Sequence, residues 1–379
     1  MDRLSQLPEA LLLTILSLLP AKDVVATMVL SKQWQFLWML VPKLVYDDDS
    51  YQDIEYGRFS RFVDRSLTLH EAPVLDTLHL KLGKTSCGTG DIRVWLKTAH
   101  KRCLRELIIK IDSNKSSVLK NAVLVDVTSS FSFPSLKKLS LVSMKYPGHE
   151  LIETFLSSCP VLEDLVVKRC LDDNLFIFPV RVPSLKCLVL HNKEEAGVDV
   201  GFVIDTPSLE CLEIFDNMGV LCLVKNNMTK ILKANVCFSY AHTKKLIISL
   251  YSVKRLFLCL SSSSKNSYPV GSVFHSLVRL TICTCETEWL NLLMCMLRDS
   301  PKLGALKLIQ DHPLRPSEPR PCWNEPSAVH KCLLTSLETL EWVKYEGTEE
   351  EKELAAFILR NGRCLKKVTI SSESIDRDE

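Results

Sequence analysis

The sequence predicts an α/β fold, in which a small amino-terminal unit of three short helices precedes a solenoid of repeats. The strands of the solenoid are expected to form a curved parallel sheet with helices or loops on its convex side. Two observations lead to this prediction. An apolar block with helical periodicity occupies residues 4–38, and the pattern L-x-x-L-x-L/I/V recurs along most of the remainder of this chain of 379 residues.

The apolar block divides into three helix-like segments. Pro8 suits the first turn of the first helix, where a missing N–H costs no hydrogen bond. Apolar residues then follow at helical spacing, namely Leu11, Leu12, Ile15, Leu16 and Leu19. Pro20 ends this helix, and Asp23 and Ser31 can cap the next two. About forty residues cannot bury so wide an apolar surface by themselves, so the block is expected to pack on another domain or on a partner.

The order and spacing of these residues resemble the F-box motif. The residues that carry the resemblance are Leu7-Pro8, Ile15-Leu16, Leu19-Pro20, Leu30-Ser31, Trp34 and Trp38. In that family the trihelical unit docks on the Skp-type adaptor of a cullin-based (SCF) ubiquitin ligase. The resemblance implies adaptor contacts from Leu7, Pro8, Leu11, Ile15, Leu16, Leu19, Pro20, Val24, Leu30 and Trp34. Which of them face the adaptor, and which pack between the helices of the unit itself, stays open.

Internal repetition defines the rest of the chain. Copies of the pattern begin at Leu75, Leu104, Leu136, Leu162, Leu185, Leu209, Val253, Leu277, Leu303, Leu337 and Leu365, with a weaker copy at Ile231. Between Leu136 and Leu303 the steps are 26, 23, 24, 22, 22, 24 and 26 residues, within the range of leucine-rich repeats. The last two apolar positions of each copy alternate, as one buried face of a short strand requires.

Turns and helices are predicted between the strands. Proline precedes several copies, as at Pro134, Pro160 and Pro183, and helical stretches are expected over residues 150–158 and 288–298. The remaining strand positions would line the concave face, where contacts with a target protein are expected. The candidates are Lys138, Glu163, Lys186, Glu210, Arg255 and Arg279. Their mixed signs argue against a track for nucleic acid.

The carboxyl-terminal part resembles a second family domain. Thr348 and Glu351 form a predicted capping box for a helix that ends at Gly362. With Pro321-Cys322-Trp323-Asn324 and the strand from Leu365, this part is similar to the FBD domain of a large plant family of F-box proteins. The predicted domains are an F-box over residues 1–45, a linker helix region over 46–71, leucine-rich repeats over 72–312, and an FBD-like region over 320–379 that closes the solenoid.

One stretch departs from that family. Its members generally carry a longer segment, including a further repeat, between the strands at Leu104 and Leu136. Here residues 112–117 run directly into residues 118–121, so that a repeat is shortened or lost. Because each repeat of a solenoid contacts only its neighbours, the sequence leaves open whether the stack breaks or closes imperfectly there.

Composition argues against membrane, secreted and nucleic-acid-binding classes. With 47 basic and 45 acidic residues the net charge is +2, which provides no field for nucleic acid or an anionic membrane. No stretch reaches the roughly twenty apolar residues of a membrane span. A secretory signal is disfavoured by Asp2, Pro8 and Glu9. Fifteen scattered cysteines indicate reduced thiols, and hence the cytoplasm or the nucleus.

Neither catalytic nor cofactor chemistry is predicted. Gly83-Lys84-Thr85 lacks the first glycine of a phosphate-binding loop, since position 78 is Leu78. Cys283-Thr284-Cys285 has no second pair at zinc spacing, so it is expected to pack in the core or to face solvent. The chain is therefore expected to have no metal site, no cofactor and no enzymatic activity.

The favoured function is that of a substrate-recognition subunit of an SCF-type ligase. The F-box would bind the Skp-type adaptor, and through it a cullin, while the repeats would bind an unidentified target protein. Proximity, and not chemistry by this chain, would then promote ubiquitin transfer. The alternative is a leucine-rich-repeat scaffold that binds proteins outside ubiquitination. A hormone receptor with a small molecule in the solenoid is a third possibility, although the sequence reveals no convergent polar pocket.

Overall fold

A computed structural model describes residues 4, 6–50, 57–83, 89–111, 132–146, 148–170, 173–192, 201–216, 221–225, 228–238, 243–260, 273–285, 288–312 and 323–372. The chain divides into two compact units, Met1–Leu185 and Lys186–Glu379. Among the described residues, none of the helices combines the length and the apolar character needed to span a bilayer. The shortened segment at residues 112–121 lies outside the described residues, but the strands on either side of it, Glu106–Ile111 and Lys138–Val142, pair in parallel, so the sheet continues across it.

The first unit consists of helices and parallel strands. Its helices are α1 (Glu9–Leu16), α2 (Ala21–Ala26), α3 (Arg58–Leu69), α4 (Thr89–Ala99) and α5 (His149–Ser157). Its strands are β1 (Lys43–Asp47), β2 (Thr77–Leu82), β3 (Glu106–Ile111), β4 (Lys138–Val142), β5 (Asp164–Lys168) and β6 (Ile177–Arg181). Strands β1 to β5 pair in parallel and in sequence order. Their register aligns one buried row, which consists of Leu44, Leu78, Leu107, Leu139 and Leu165.

The strands of this unit confirm four predicted repeats and add one. The copies that begin at Leu75, Leu104, Leu136 and Leu162 form β2 to β5. β1 belongs to an additional copy, in which Val41, Leu44 and Tyr46 take the three apolar positions and are at most 2% exposed. The leucine pattern did not identify this copy, because valine and tyrosine replace two of its leucines. The sheet therefore begins directly after the amino-terminal helices.

The amino-terminal helical segment, residues 6–41, has two α-helices and not three. α1 and α2 form as predicted, whereas residues 32–36 form turns and Leu37–Leu40 forms a 3₁₀ helix. Trp34, Leu37 and Trp38 are all buried, and tight turns bring these large side chains inward within one short stretch. Asp23 lies inside the first turn of α2, since Pro20 is the residue at its N-cap. Asp23 therefore complements the helix dipole and does not act as a cap.

His70 connects the helical segment to the 3₁₀ turn His100–Arg102 that follows α4. Its Nε2 lies 2.8 Å from the carbonyl oxygen of Val41, and its Nδ1 lies 2.7 Å from a guanidinium nitrogen of Arg102. Because arginine can only donate, Nδ1 accepts and the Nε2–H donates to Val41, so the ring is neutral. Burial lowers the pKa of His70, the bond to Val41 opposes this effect, and the Arg102 charge lowers the pKa further.

The second unit contains the remaining repeats. Its strands are β7 (Cys187–His191), β8 (Gly201–Asp205), β9 (Cys211–Asp216), β10 (Leu221–Val224), β11 (Lys233–Phe238), β12 (Arg255–Leu260), β13 (Arg279–Cys283), β14 (Ala305–Ile309), β15 (Thr339–Val343) and β16 (Lys367–Ser371). Its helices are α6 (Thr243–Ser249), α7 (Trp289–Asp299), α8 (Lys331–Thr335) and α9 (Glu349–Asn361).

Eight of these strands form the parallel sheet of the second unit, in the order β7, β9, β11, β12, β13, β14, β15 and β16. Each corresponds to one predicted copy of the repeat. The weak copy at Ile231 forms β11, where Ala234 takes the place of a leucine and is fully buried. A small apolar residue is tolerated there because the neighbouring strands supply Leu212 and Leu256 on either side.

The segments that connect the repeats include strands as well as helices. α5 and α7 confirm the helices expected at residues 150–158 and 288–298, each shifted by one residue. β8 and β10 instead form a parallel pair, although helices or loops were predicted there. In β8, Phe202 and Ile204 are buried and alternate with more exposed residues, a period that favours a strand over a helix.

The carboxyl-terminal helix α9 has the predicted capping box. The backbone N–H of Glu351 donates to Oγ1 of Thr348 (3.3 Å), and the Glu351 carboxylate accepts from three backbone N–H groups, among them that of Thr348 (3.1 Å). Gly362 is the C-cap of α9, and an added Cβ there would lie 2.7 Å from Cγ of Leu365. On the last strand, β16, Val368 and Ile370 are 40% and 41% exposed.

Candidate functional site

Seven apolar side chains form the core of the helical segment. They are Leu12, Leu16, Val24, Trp34, Leu37, Trp38 and Val41, each at most 7% exposed. For three of them, Leu16, Val24 and Trp34, the sequence left open whether they contact the adaptor or pack within the unit, and the structure places them in this core. Their exposed fractions are 1%, 1% and 4%, so these side chains cannot reach a partner while the segment stays folded.

The other predicted adaptor contacts lie at or near the surface of the helical segment. Leu11, Ile15 and Leu19 are 51%, 40% and 36% exposed. Their spacing of four residues places them on one side of α1 and its carboxyl-terminal turn. Leu30 is 64% exposed. Of the remaining predicted contacts, Pro8 is exposed, whereas Leu7 and Pro20 are half-buried.

Three further apolar side chains are exposed that the motif did not point to. Leu18, Val29 and Phe36 are 81%, 82% and 61% exposed. Each lies in a turn or a 3₁₀ helix next to a helix end, where helical periodicity no longer indicates which way a side chain points. Exposed large apolar residues therefore occur in several successive parts of the helical segment, which is typical of an interaction surface.

A groove of about 660 Å³ opens beside the helical segment, against α3. Its lining consists of Val25, Met28, Trp38, Arg58, Arg61, Phe62, Arg65, Ser66 and Leu69. The three arginines follow one another along α3, and the contributions of α2 and its flanking residues are apolar. Such a lining suits a partner segment that presents an apolar side chain next to a carboxylate.

The predicted target contacts of the first unit are paired across the strands. Lys138 lies 3.5 Å from Asp164, and Glu163 lies 3.4 Å from Lys137. Both pairs are largely exposed to solvent, and such pairs contribute about 0–1 kcal/mol to stability. These charges can therefore exchange their present partners for those of another protein at little cost.

The predicted target contacts of the second unit are all exposed at the start of a strand. Lys186 and Glu210 directly precede β7 and β9, and Arg255 and Arg279 begin β12 and β13. Lys233, at the start of β11, is the register partner of Arg255, which is in turn the partner of Arg279. We call these three residues the basic row. None of them has an ion-pair partner among the described residues, although like charges on adjacent strands, about 4.8 Å apart, repel one another.

Sulfur and nitrogen atoms meet at a place that the sequence did not predict. Cys259, Cys283, Cys285 and His312, called here the thiol–imidazole cluster, have ligand atoms that all lie within 4.8 Å of one another. Cys283 and Cys285 are 2% and 5% exposed, so they do not face solvent. The sequence did not point to Cys259 and His312, because they lie 26 and 27 residues from Cys285, roughly one repeat away and beyond the usual zinc spacings.

Three family matches cover most of this architecture. The F-box domain matches residues 4–46, which contain the helical segment. The leucine-rich repeats of the FBD-associated F-box protein At5g56370 match residues 111–238, and the FBD domain matches residues 325–370. The match to the repeats covers residues 111–238 of the predicted range 72–312, and the boundaries of the predicted domains stay predictions.

The chain is also similar over its whole length to proteins of Arabidopsis thaliana. It is 73% identical to the probable FBD-associated F-box protein At1g32375, with 99% of this chain and 94% of that protein covered. It is 58% identical to the putative FBD-associated F-box protein At5g56390, with 100% and 94% covered. The aligned lengths of 398 and 407 exceed the 379 residues of this chain, so the relatives contain residues without a counterpart here.

These names describe F-box proteins, in agreement with the F-box domain match at residues 4–46. The fold agrees with the matches, since an amino-terminal helical segment precedes parallel strands with the repeat pattern and a final capped helix. The chain belongs to the family of FBD-associated F-box proteins with leucine-rich repeats.

Proposed function

We propose that this protein is the substrate-recognition subunit of an SCF-type ubiquitin ligase. In this proposal the helical segment binds a Skp-type adaptor, which connects it to a cullin, and the repeats bind a target protein. The observation that carries the proposal is the exposure of Leu11, Leu19 and Leu30 in a segment that matches the F-box domain. A location in the cytoplasm or the nucleus would fit this role and stays a prediction.

The exposed side chains of the helical segment can contact a partner while the segment stays folded. Its core is complete without them, because Leu12, Leu16 and the tryptophans pack on one another. Leaving apolar area in water costs about 25 cal/mol per Å², and a docked adaptor would remove that cost. Binding energy is expected to concentrate in a few of these residues, and Leu11, on the outward side of α1, is the first candidate.

A Leu11→Asp variant is expected to lose adaptor binding and to stay folded. We expect the native chain and a Skp-type adaptor to form a one-to-one complex, and the variant to bind at least about 30-fold more weakly, equivalent to about 2 kcal/mol. Isothermal titration calorimetry with the full chain measures this difference. Circular dichroism of the variant checks that its fold is retained.

Leu359→Asp is the matched control for this experiment. Leu359 is a helical leucine of α9 with an exposed fraction of 49%, against 51% for Leu11, and it lies in the FBD region. This variant is expected to bind the adaptor as the native chain does. If the native chain did not bind any Skp-type adaptor, the ligase role would be excluded, and the alternative of a repeat scaffold outside ubiquitination would remain.

The target is proposed to bind the exposed strand face of the repeats through an acidic segment. The basic row supports this choice, because an anionic partner would relieve the repulsion among its three charges. Glu210, by contrast, lies just before β9, at the edge of this row. In the first unit, Lys138 is paired with Asp164 and Glu163 with Lys137, so these residues have no comparable excess of one sign.

Reversal of the charges of the basic row is expected to weaken target binding without weakening adaptor binding. We expect an Arg255→Glu/Arg279→Glu variant to label its targets several-fold less in proximity labelling under proteasome inhibition, because two attractive charges become repulsive. Lys302→Glu is the charge control, since Lys302 is exposed but lies in the turn before β14. Unchanged labelling by the double variant, with adaptor binding intact, would exclude the basic row as a target contact.

A further inference from the structure

The thiol–imidazole cluster is built by the parallel register of the repeats. Leu258 and Ile282 are register partners in β12 and β13, so the residues that follow them, Cys259 and Cys283, lie side by side. Cys285 follows β13 by two residues, and His312 follows β14. The backbone N–H of Thr284 donates to the carbonyl of Ile309 (2.9 Å), which holds the two segments together. Three consecutive repeats therefore bring their sulfur and nitrogen atoms to one place.

The sulfur atoms of the cluster are buried on the face of the sheet that is otherwise exposed. Leu258 and Ile282 point into the core, so their neighbours Cys259 and Cys283 point to the opposite face. There they are 4% and 2% exposed, because Phe215 and Phe257 pack against them. The same buried group includes Cys237, the register partner of Cys259, which lies outside the set of four possible ligand atoms. Polar groups that are buried together require partners.

The nitrogen–sulfur distances in the cluster are close to those of a tetrahedral ligand set, whereas two sulfur–sulfur distances are shorter and would lengthen around an ion. Sγ of Cys285 lies 3.1 Å from Sγ of Cys283 and 3.5 Å from Sγ of Cys259. Nδ1 of His312 lies 3.5, 3.7 and 3.9 Å from the sulfur atoms of Cys259, Cys283 and Cys285. Around a tetrahedral zinc ion, two sulfur ligands lie about 3.8 Å apart, and a sulfur and a nitrogen about 3.6 Å apart.

We propose that the thiol–imidazole cluster binds one structural zinc ion. Three thiolates and one imidazole are a closed ligand set that zinc favours, with no position left for a substrate. The three thiols release their protons to solvent when the ion binds, and His312 binds as the neutral imidazole through Nδ1. The bound ion joins three successive repeats beside the exposed strand face and stabilises the second unit, because the unfolded chain does not hold these ligands together.

A disulfide is the competing explanation for the short distance between sulfur atoms. It would join two of the three sulfurs, would require an oxidant, and would leave the imidazole of His312 without a role. The position of Nδ1 within 3.9 Å of all three sulfur atoms favours the metal.

Zinc content of the full chain tests the proposal. We expect the native chain, purified under reducing conditions with added zinc, to retain about one zinc per chain by mass spectrometry of the metal. Cys285→Ser and His312→Ala are expected to retain less than about a tenth of it. Cys332→Ser is the matched control, because Cys332 is a fully buried single thiol of the same unit, whose pKa burial raises to about 11. It is expected to keep its zinc.

Two measurements on the native chain keep the test decisive if a variant does not fold. Removal of zinc with a chelator is expected to lower the unfolding temperature, and re-addition to restore it. Cobalt(II) in place of zinc is expected to give the absorption of a tetrahedral site with sulfur ligands. A reduced native chain without zinc or a cobalt spectrum, bound iron or copper instead of zinc, or a disulfide among these cysteines would overturn the proposal.

Discussion

A Leu16→Asp variant is expected to unfold the helical segment. Leu16 is 1% exposed and packs with Leu12, Val24 and Trp34 in its core. Loss of a buried leucine side chain costs about 2–5 kcal/mol, and a carboxylate without a partner adds several more. The segment has only about forty residues, and the free energy of unfolding of so small a unit is not large enough to offset this loss. Hydrogen exchange of peptides from residues 9–41 should show loss of protection, and adaptor binding should disappear with it.

The contrast with Leu11→Asp separates folding from binding. Both variants place a charge on α1, five residues apart, but only the side chain at position 16 is buried. Leu11→Asp is therefore expected to keep the protection of residues 9–41 and to lose only the adaptor. If Leu16→Asp retained full protection and lost binding, Leu16 would face the partner, and its assignment to the core of the helical segment would be wrong.

An Asp173→Ala variant is expected to destabilise the first unit by about 3–5 kcal/mol. The guanidinium of Arg169 is buried and forms two bonds with the Asp173 carboxylate, at 2.5 and 2.9 Å. It also donates to the carbonyl of Leu175, whose backbone N–H donates to Asp173 (3.1 Å). Without the carboxylate, the buried guanidinium loses both of its charged bonds to position 173. Urea unfolding of the full chain measures the loss in the transition of the first unit.

A double variant tests the physical reason for this loss. Arg169→Met/Asp173→Leu removes both charges and keeps apolar volume, so its stability is expected to lie close to that of the native chain or above it. If the double variant lost as much stability as Asp173→Ala, the loss would come from packing or from the bonds to Leu175.

Tyr146 lies next to this ion pair. Its backbone N–H donates to the Asp173 carbonyl (3.1 Å), and burial raises the pKa of the Tyr146 hydroxyl.

The strands could be predicted because their signal is local. Each copy of L-x-x-L-x-L indicates within six residues which side chains of the strand are buried and which are exposed. Even the weak copy with Ala234 forms a strand in register. β1 was missed only because Val41 and Tyr46 stand for leucine. β8 and β10 were missed because the repeat pattern describes only one strand of each repeat.

The helical segment shows why periodicity alone does not identify a binding surface. Apolar residues occupy so much of the circumference of α1 that the pattern has no unique phase. Leu11 is 51% exposed, whereas the next residue, Leu12, is fully buried. Only the tryptophans packed against one side of α1, which lie more than twenty residues further along the chain, decide between them.

The amino-acid sequence alone was enough to predict the family and the position of every strand in the leucine pattern. These properties follow from short-range alternation and from motifs that are contiguous in the chain. The tertiary structure decided which apolar residues of the F-box are accessible, which acid neutralises Arg169, and which atoms meet Cys285. The reason is physical, because burial and juxtaposition depend on side chains that are distant in sequence and become neighbours only when the segments pack and the parallel strands come into register.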